Sequence, residues 1–185
     1  MSNRSIRQGW DTGDWSEMPP VTIHPYDPGW VDRYELGRRE LEQALAGFNV
    51  RIEHVGSTSI PGLGARNSID ILIGLANPED TAACVERLQQ VGYRYHFTER
   101  DHTHLSRMGY KLHLNAIGGE GWTELLLFRD HLRRHPDVLE AYHRLKVDLA
   151  REHGRNGQLY VDGKEAFVRS VVERARNDAR CTATD

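Results

Sequence analysis

Cysteine is scarce in this chain: Cys84 and Cys181 are its two thiols among 185 residues. Placed so far apart, they make neither a disulfide framework nor a zinc motif, and a reducing cytoplasm suits them best. Long apolar runs are missing too, and none approaches the ~18 residues that a membrane span needs. The N-terminus has no hydrophobic signal region, which argues against secretion. Charge of one sign is not in excess either. The formal net charge is −3, with acids and bases mixed along the chain. With no basic block for nucleic acid and no acidic tail, neither membrane nor nucleic acid is the expected partner. The Walker phosphate loop and the Rossmann glycine fingerprint are both absent.

What is present reads as one α+β domain. Residues 1–20 are polar and aperiodic and are expected to form a loose arm, followed by a single domain over 21–178 and a disordered tail over 179–185. Val21 to Pro25 suits a short strand. Asp27-Pro28 opens a helix with Trp30, Tyr34, Leu41 and Leu45 on one face, ended by Gly47. Strands are expected over Arg51 to Val55 and Ser68 to Leu75, and a helix from Asn77-Pro78 to Gly92. Tyr93 to Phe97 and Tyr110 to Ile117 follow as strands, separated by the polar stretch Thr98 to Gly109. Helices are expected over Trp122 to Arg134, from Pro136 to about His153, and from Lys164 to about Asn177, the last after a loop over Gly154 to Gly163. The sum is a mixed sheet with helices packed around it.

The chemistry concentrates in Glu53-His54-Val55-Gly56-Ser57-Thr58-Ser59-Ile60-Pro61-Gly62-Leu63 and Ser68-Ile69-Asp70-Ile71-Leu72-Ile73-Gly74. The first stretch is a strand running into a glycine-serine turn, whose N–H groups and the hydroxyls of Ser57, Thr58 and Ser59 suit phosphate oxygens. The plain alternative is an ordinary turn with a Pro61-Gly62 bend. The second stretch sets Asp70 in an apolar run. Alternation puts Ile69, Ile71 and Ile73 on one face, and Asp70, Leu72 and Gly74 on the other. A carboxylate there must meet solvent, a ligand, a metal or a structural partner such as Arg66, because burying it alone is costly.

The run from Ile52 to Gly74 resembles the signature of the GrpB-like family, a branch of the nucleotidyltransferase superfamily: I-E-H-x-G-S-T-S-x-P-G-L, then A-K-P-x-I-D-I-L. Leu127-Phe128-Arg129-Asp130-His131-Leu132-Arg133 with His135-Pro136 matches further downstream, as do Ala141-Tyr142, Leu145-Lys146, Tyr160, Lys164 and Phe167. The resemblance covers roughly Val21 to Val172. It implies a nucleotidyltransferase-type core in which Gly56 and Ser57 hold the triphosphate of ATP or another NTP, and Asp70 holds Mg²⁺. The implied reaction is metal-dependent nucleotidyl or phosphoryl transfer to a small acceptor.

The pattern also departs from that expectation. Leu72 stands where the superfamily expects a second acid, and no acid occurs between Tyr110 and Ile117. Asp70 with substrate phosphates could still hold one Mg²⁺, whereas a two-metal clamp is disfavoured. His113 could act as a general base instead, or simply hydrogen-bond a loop. Arg66-Asn67 replaces the family's Lys-Pro, and Lys111 replaces a frequent histidine. Arg129, Arg133, Lys146 and Lys164 could neutralise a triphosphate or form solvated surface pairs. Trp122, Phe128 and Tyr142 read as core. His102-Thr103-His104 would place two rings on one face of an extended segment with His113 on the next strand; that is either a metal site or a set of polar-loop histidines. Two other functions stay open: a nucleotide or phosphate-ligand binding module that has lost turnover, and a protein-interaction domain without chemistry.

Overall fold

The computed structural model describes residues 20–100 and 102–182. The arm expected over residues 1–20, apart from Pro20, and the final three residues lie outside the described residues. Five strands form one mixed sheet: β1 (Val50–Val55), β2 (Ile69–Leu75), β3 (Arg94–Glu99), β4 (His102–Arg107) and β5 (Tyr110–Ala116), in spatial order β1-β2-β5-β4-β3. β2 and β5 pair in parallel, and the other neighbours are antiparallel. The helices are α1 (Gly29–Ala44), α2 (Thr81–Gln90), α3 (Glu120–Arg134), α4 (Pro136–His153) and α5 (Gly157–Thr182).

The alternation along β2 decides the layering. Ile69, Ile71 and Ile73 join Leu112, Leu114 and Leu105 from the neighbouring strands in a core closed by Trp30, Tyr34, Leu41 and Leu45 of α1 and its C-terminal turn, and by Cys84 and Leu88 of α2. On the opposite face, Leu72 packs with Val55 and with Trp122 of α3. A third cluster joins Ile60 and Leu63, from the loop after β1, to Phe128, Leu132, Tyr142, Val171 and Val172. Both loop side chains are fully buried, and each such burial stabilises by roughly 1.5–3 kcal/mol. The glycine-serine turn is thereby fixed between the sheet and the α3–α5 helices.

Several expected boundaries shift for local reasons. Asp27 does receive the Gly29 N–H at 2.8 Å, as a capping residue should, although the helix starts one residue after Pro28. The expected strand at Val21 to Pro25 is reduced to an isolated bridge between His24 and Ala65. The stretch expected to separate two strands contains β4. Its sheet-facing pattern was hidden because His102, His104 and Ser106 alternate with only one large apolar residue, Leu105. The expected loop before Lys164 is mostly helix: Asn156 accepts the Leu159 N–H at 3.2 Å and starts α5 early. Gly163 lies inside α5 because Leu149 of α4 occupies the space where a Cβ would stand. α5 also continues to Thr182, so residues 179–182 are helical rather than a disordered tail.

Candidate functional site

β1 ends at Val55, the register partner of Asp70, and the chain turns at once through Gly56. Gly56 has φ +69° and ψ −175°, backbone that essentially only glycine occupies. A Cβ on it would also collide with the Asp70 carboxylate. Glycine is thus required twice, by the turn and by the carboxylate packed against it. Ser57–Ser59 form a short 3-10 turn, whose first N–H groups have no partner within the turn itself.

The hydroxyls of that turn divide their duties. Ser59 Oγ donates to the Gly56 carbonyl at 2.6 Å, and Thr58 Oγ1 pairs with His54 Nε2 at 3.0 Å, so both brace the loop. Ser57 Oγ accepts from Lys146 Nζ at 3.0 Å. Lys146, almost fully buried, donates as well to the Gly64 carbonyl. Arg133 of α3 holds the Ser59 carbonyl through Nε and Nη2, at 3.2 and 2.7 Å.

Gly56, Ser57 and Asp70 open onto a cleft of about 700 Å³, counting the space at its mouth, between the sheet and α3–α5. Four basic side chains, Arg66, Lys111, Lys146 and Lys164, line it against a single carboxylate, Asp70. Phe128, Tyr142 and Tyr160 supply aromatic wall. This imbalance gives the cleft a basic lining. Burial and the neighbouring Lys164 depress the Lys146 ammonium to about 7, and burial with Arg66 and Lys111 nearby brings Lys164 to about 7 as well. Asp70 moves the other way. Burial raises it to about 6, against the pull of Lys111, His54, Arg66 and Lys164. A polyanion arriving here would supply the countercharge that the lysines need in order to stay protonated.

His113 lies on the same face as Asp70 but deeper. It is fully buried, pairs in register with Leu72, and holds Nε2 3.9 Å from Asp70 Oδ1. Burial pushes its pKa well below the usual imidazole value, so the ring is neutral. It reaches the cleft through Asp70 and is not part of the lining. Arg129 is not brought to the cleft lining either. It is held by Glu53 at 2.9 Å, Asp130 at 2.7 Å and the His54 carbonyl at 3.1 Å. Glu53 shares the Asp70 face of the sheet, as its pairing with Leu72 requires, but Arg129 engages it. Of the residues expected to bind a ligand, the structure gathers Gly56, Ser57, Thr58, Arg66, Lys146 and Lys164 around Asp70, and leaves Ser59 and Arg129 as supports. Reasoning from sequence missed Lys111 as a cleft residue; Tyr142, read as core, does join the cluster of Phe128 and Leu132 and also lines the cleft. Lys111 was within reach, since it lies two residues before His113 and shares its face.

One oxygen of Asp70, Oδ1, is buried without a hydrogen-bond partner among the described residues. Asp70 lines the cleft and keeps one carboxylate oxygen without a partner, and carboxylate oxygen is the donor type that Mg²⁺ takes. The donor set fits one such ion shared with phosphate oxygens. It does not fit two, because Leu72 is fully buried against Val55 and Trp122, and Lys111 is the β5 register partner of Asp70.

Residues 20–174 match the family model described as GrpB protein. The chain belongs to the GrpB family. It is 33% identical over 160 residues to UPF0157 protein BH1888 of Halalkalibacterium halodurans, covering 84% of this chain and 82% of that protein. The crystal structure of GrpB from Enterococcus faecalis superimposes with a TM-score of 0.79 at 27% identity, over 85% of this chain and 99% of that one. The Cid1 poly(U) polymerase, in a structure bound to Mg and 3'-dATP, shares the fold at a TM-score of 0.50 and 12% identity, over 69% of this chain and 42% of Cid1. The GrpB chain therefore has a nucleotidyltransferase-like fold: a mixed five-stranded sheet followed by a helical C-terminal region. Among its described residues, no helix is long and apolar enough to cross a membrane.

Proposed function

We propose that this GrpB protein binds a nucleoside triphosphate in the Asp70 cleft and transfers a nucleotidyl or phosphoryl group from it to a small acceptor. The observation that carries the reading is the four-to-one excess of basic side chains over carboxylate around a glycine-serine turn. In this reading the turn N–H groups and Ser57 hold phosphate oxygens, while Lys146 and Lys164 neutralise them from α4 and α5. Arg66 and Lys111 flank the phosphates at the sheet. Asp70 would hold one Mg²⁺, which supplies charge stabilisation at the reacting phosphoryl group when bound. His113 positions Asp70 from behind. As the acceptor oxygen bonds to phosphorus, the bond to the leaving phosphate oxygen breaks, and the acceptor proton leaves to water at the open mouth. Support for the nucleotide comes from the shared fold, since the Cid1 relative carries Mg and 3'-dATP.

A second reading, a nucleotide-binding module without turnover, has its own observation: Leu72 occupies the place of a second acid and is locked in an apolar cluster, and β5 carries no acid. Titration of ATP with and without Mg²⁺, followed by a phosphate and pyrophosphate release assay, separates the two. Mg²⁺-enhanced binding with release supports transfer. Binding without release supports the module, and no binding removes both.

A further inference from the structure

We infer that His102, His104 and His113 form a site for one first-row transition-metal ion, Zn²⁺ foremost, on the β4–β5 part of the sheet face that carries Asp70. The site goes beyond the nucleotide reading and does not rest on it. His102 and His104 alternate onto the same side of β4, and His104 is the register partner of His113 on β5. The three rings pack on one another, with centroids 4.1, 4.7 and 5.2 Å apart. Each offers a nitrogen within 4.8 Å of the others, and His102 Nε2 and His113 Nδ1 are already 3.0 Å apart. Zn–N bonds of ~2.0–2.1 Å at tetrahedral angles put ligand nitrogens about 3.3 Å from one another, so small side-chain rotations bring the set to bonding distance.

Chemistry selects the ion. An all-imidazole donor set favours Zn²⁺ and its neighbours over Mg²⁺ or Ca²⁺, which require oxygen. His104 and His113 are buried, where apolar residues would pack at lower cost, and a bound metal gives three clustered imidazoles a common partner. Beyond the ring, Asp70 Oδ1 lies 3.9 Å from His113 Nε2. With Nδ1 of His113 on the metal, its Nε2–H faces that carboxylate, the arrangement that fixes tautomer and ring orientation in metal-binding histidines. The ion would thereby tie β4 to β5 and orient Asp70 from the side away from the cleft. A second group, His131, His135 and Asp178, also has donors within 4.8 Å, but its Asp178 is exposed on α5. It serves as an internal control for adventitious binding.

The test uses the full chain with no affinity tag, stripped with a chelator and titrated with Zn²⁺ and, as a spectroscopic probe, Co²⁺. The expected result is one tight equivalent per chain with a submicromolar Kd, a visible Co²⁺ absorption of nitrogen-coordinated type and a higher Tm with Zn²⁺. His102 is only half-buried, so His102→Ala should fold, and circular dichroism checks this. That variant should bind Zn²⁺ at least ~10²-fold more weakly, with the Co²⁺ bands lost. His102→Asp, which restores a ligand atom, should recover most of the affinity, and His135→Ala should change nothing. Should His102→Ala fail to fold, the wild-type Co²⁺ spectrum and the His135→Ala titration decide between the two groups. Absence of tight binding in the wild type, unchanged binding in folded His102→Ala, or loss of binding in His135→Ala would each overturn the site.

Discussion

The two faces of β2 make the sharpest comparison in the molecule. Ile69, Ile71 and Ile73 point into a core shared with α1 and α2 and are fully buried. Asp70, Leu72 and Gly74 point the other way, and only Leu72 is spent on packing. Asp70 meets the cleft, and Gly74 is kept bare because a Cβ would run into Trp122. The strand therefore holds the fold with one set of residues and shapes a site with the set between them. Substitutions on the first set should change stability without changing the ligand response. On the second set Asp70 should do the reverse; Gly74 tolerates no side chain, and Leu72 is the exception that packs.

The exception gives the largest expected effect. Leu72→Asp looks like restoration of a missing acid, but it would place a carboxylate among Val55 and Trp122. It should cost about 5 kcal/mol or more, enough to unfold a domain of ordinary stability, and should not tighten Mg²⁺ binding. Urea unfolding checks this, and a stable variant with stronger Mg²⁺ binding would break the comparison. Ile71→Ala on the core face should destabilise by about 3 kcal/mol through the cavity it leaves, while the folded fraction keeps its ATP affinity. Denaturant titration beside calorimetry gives both numbers.

Lys146→Met tests the cleft side. Removing a buried, partly discharged ammonium should leave apo stability equal or higher, while ATP affinity falls by ~10–100-fold from loss of a charge-assisted phosphate contact. A smaller effect concerns protons. Lys146 and Lys164, both at about 7 in the fold and 10.5 as free side chains, are largely neutral at pH 8, and a bound polyanion raises them. ATP binding at pH 8 should therefore take up protons and weaken as pH rises. Calorimetry in buffers of different ionisation enthalpy reads this, and proton release would contradict it. For the free protein the pH dependence is opposite: the unfolded chain binds more protons between about 7 and 10.5, so these lysines make stability rise with pH over that window.

The same comparison explains what could be read from the sequence. The period-two alternation around Asp70 and the glycine between β1 and the turn are local patterns, and they placed the sheet and the turn correctly. β4 escaped because the side opposite Leu105 is histidine and serine, which imitate a loop. Much of the cleft lining is assembled across long separations: the resemblance, not any local pattern, points to Lys146 and Lys164 on α4 and α5, and Lys111 escaped because a parallel strand pairing sets it beside Asp70. Arg129 looked equivalent to the lysines in spacing, yet Glu53 and Asp130 claim it.

Asp70→Asn tests the central claim most directly, through thermal melts of wild type and variant with and without ATP and Mg²⁺. In the fold Asp70 sits at about 6, against 3.8 as a free side chain. Its raised value means that stability present below pH 4 is lost as pH rises through 6, so wild type carries the full burial penalty at pH 7.5. The account predicts an apo Tm for Asp70→Asn equal to or above that of wild type, with most of the Mg²⁺–ATP stabilisation gone. A large fall in apo Tm with the ligand-induced shift intact would make Asp70 a structural partner of Arg66 or Lys111 and would contradict the metal role.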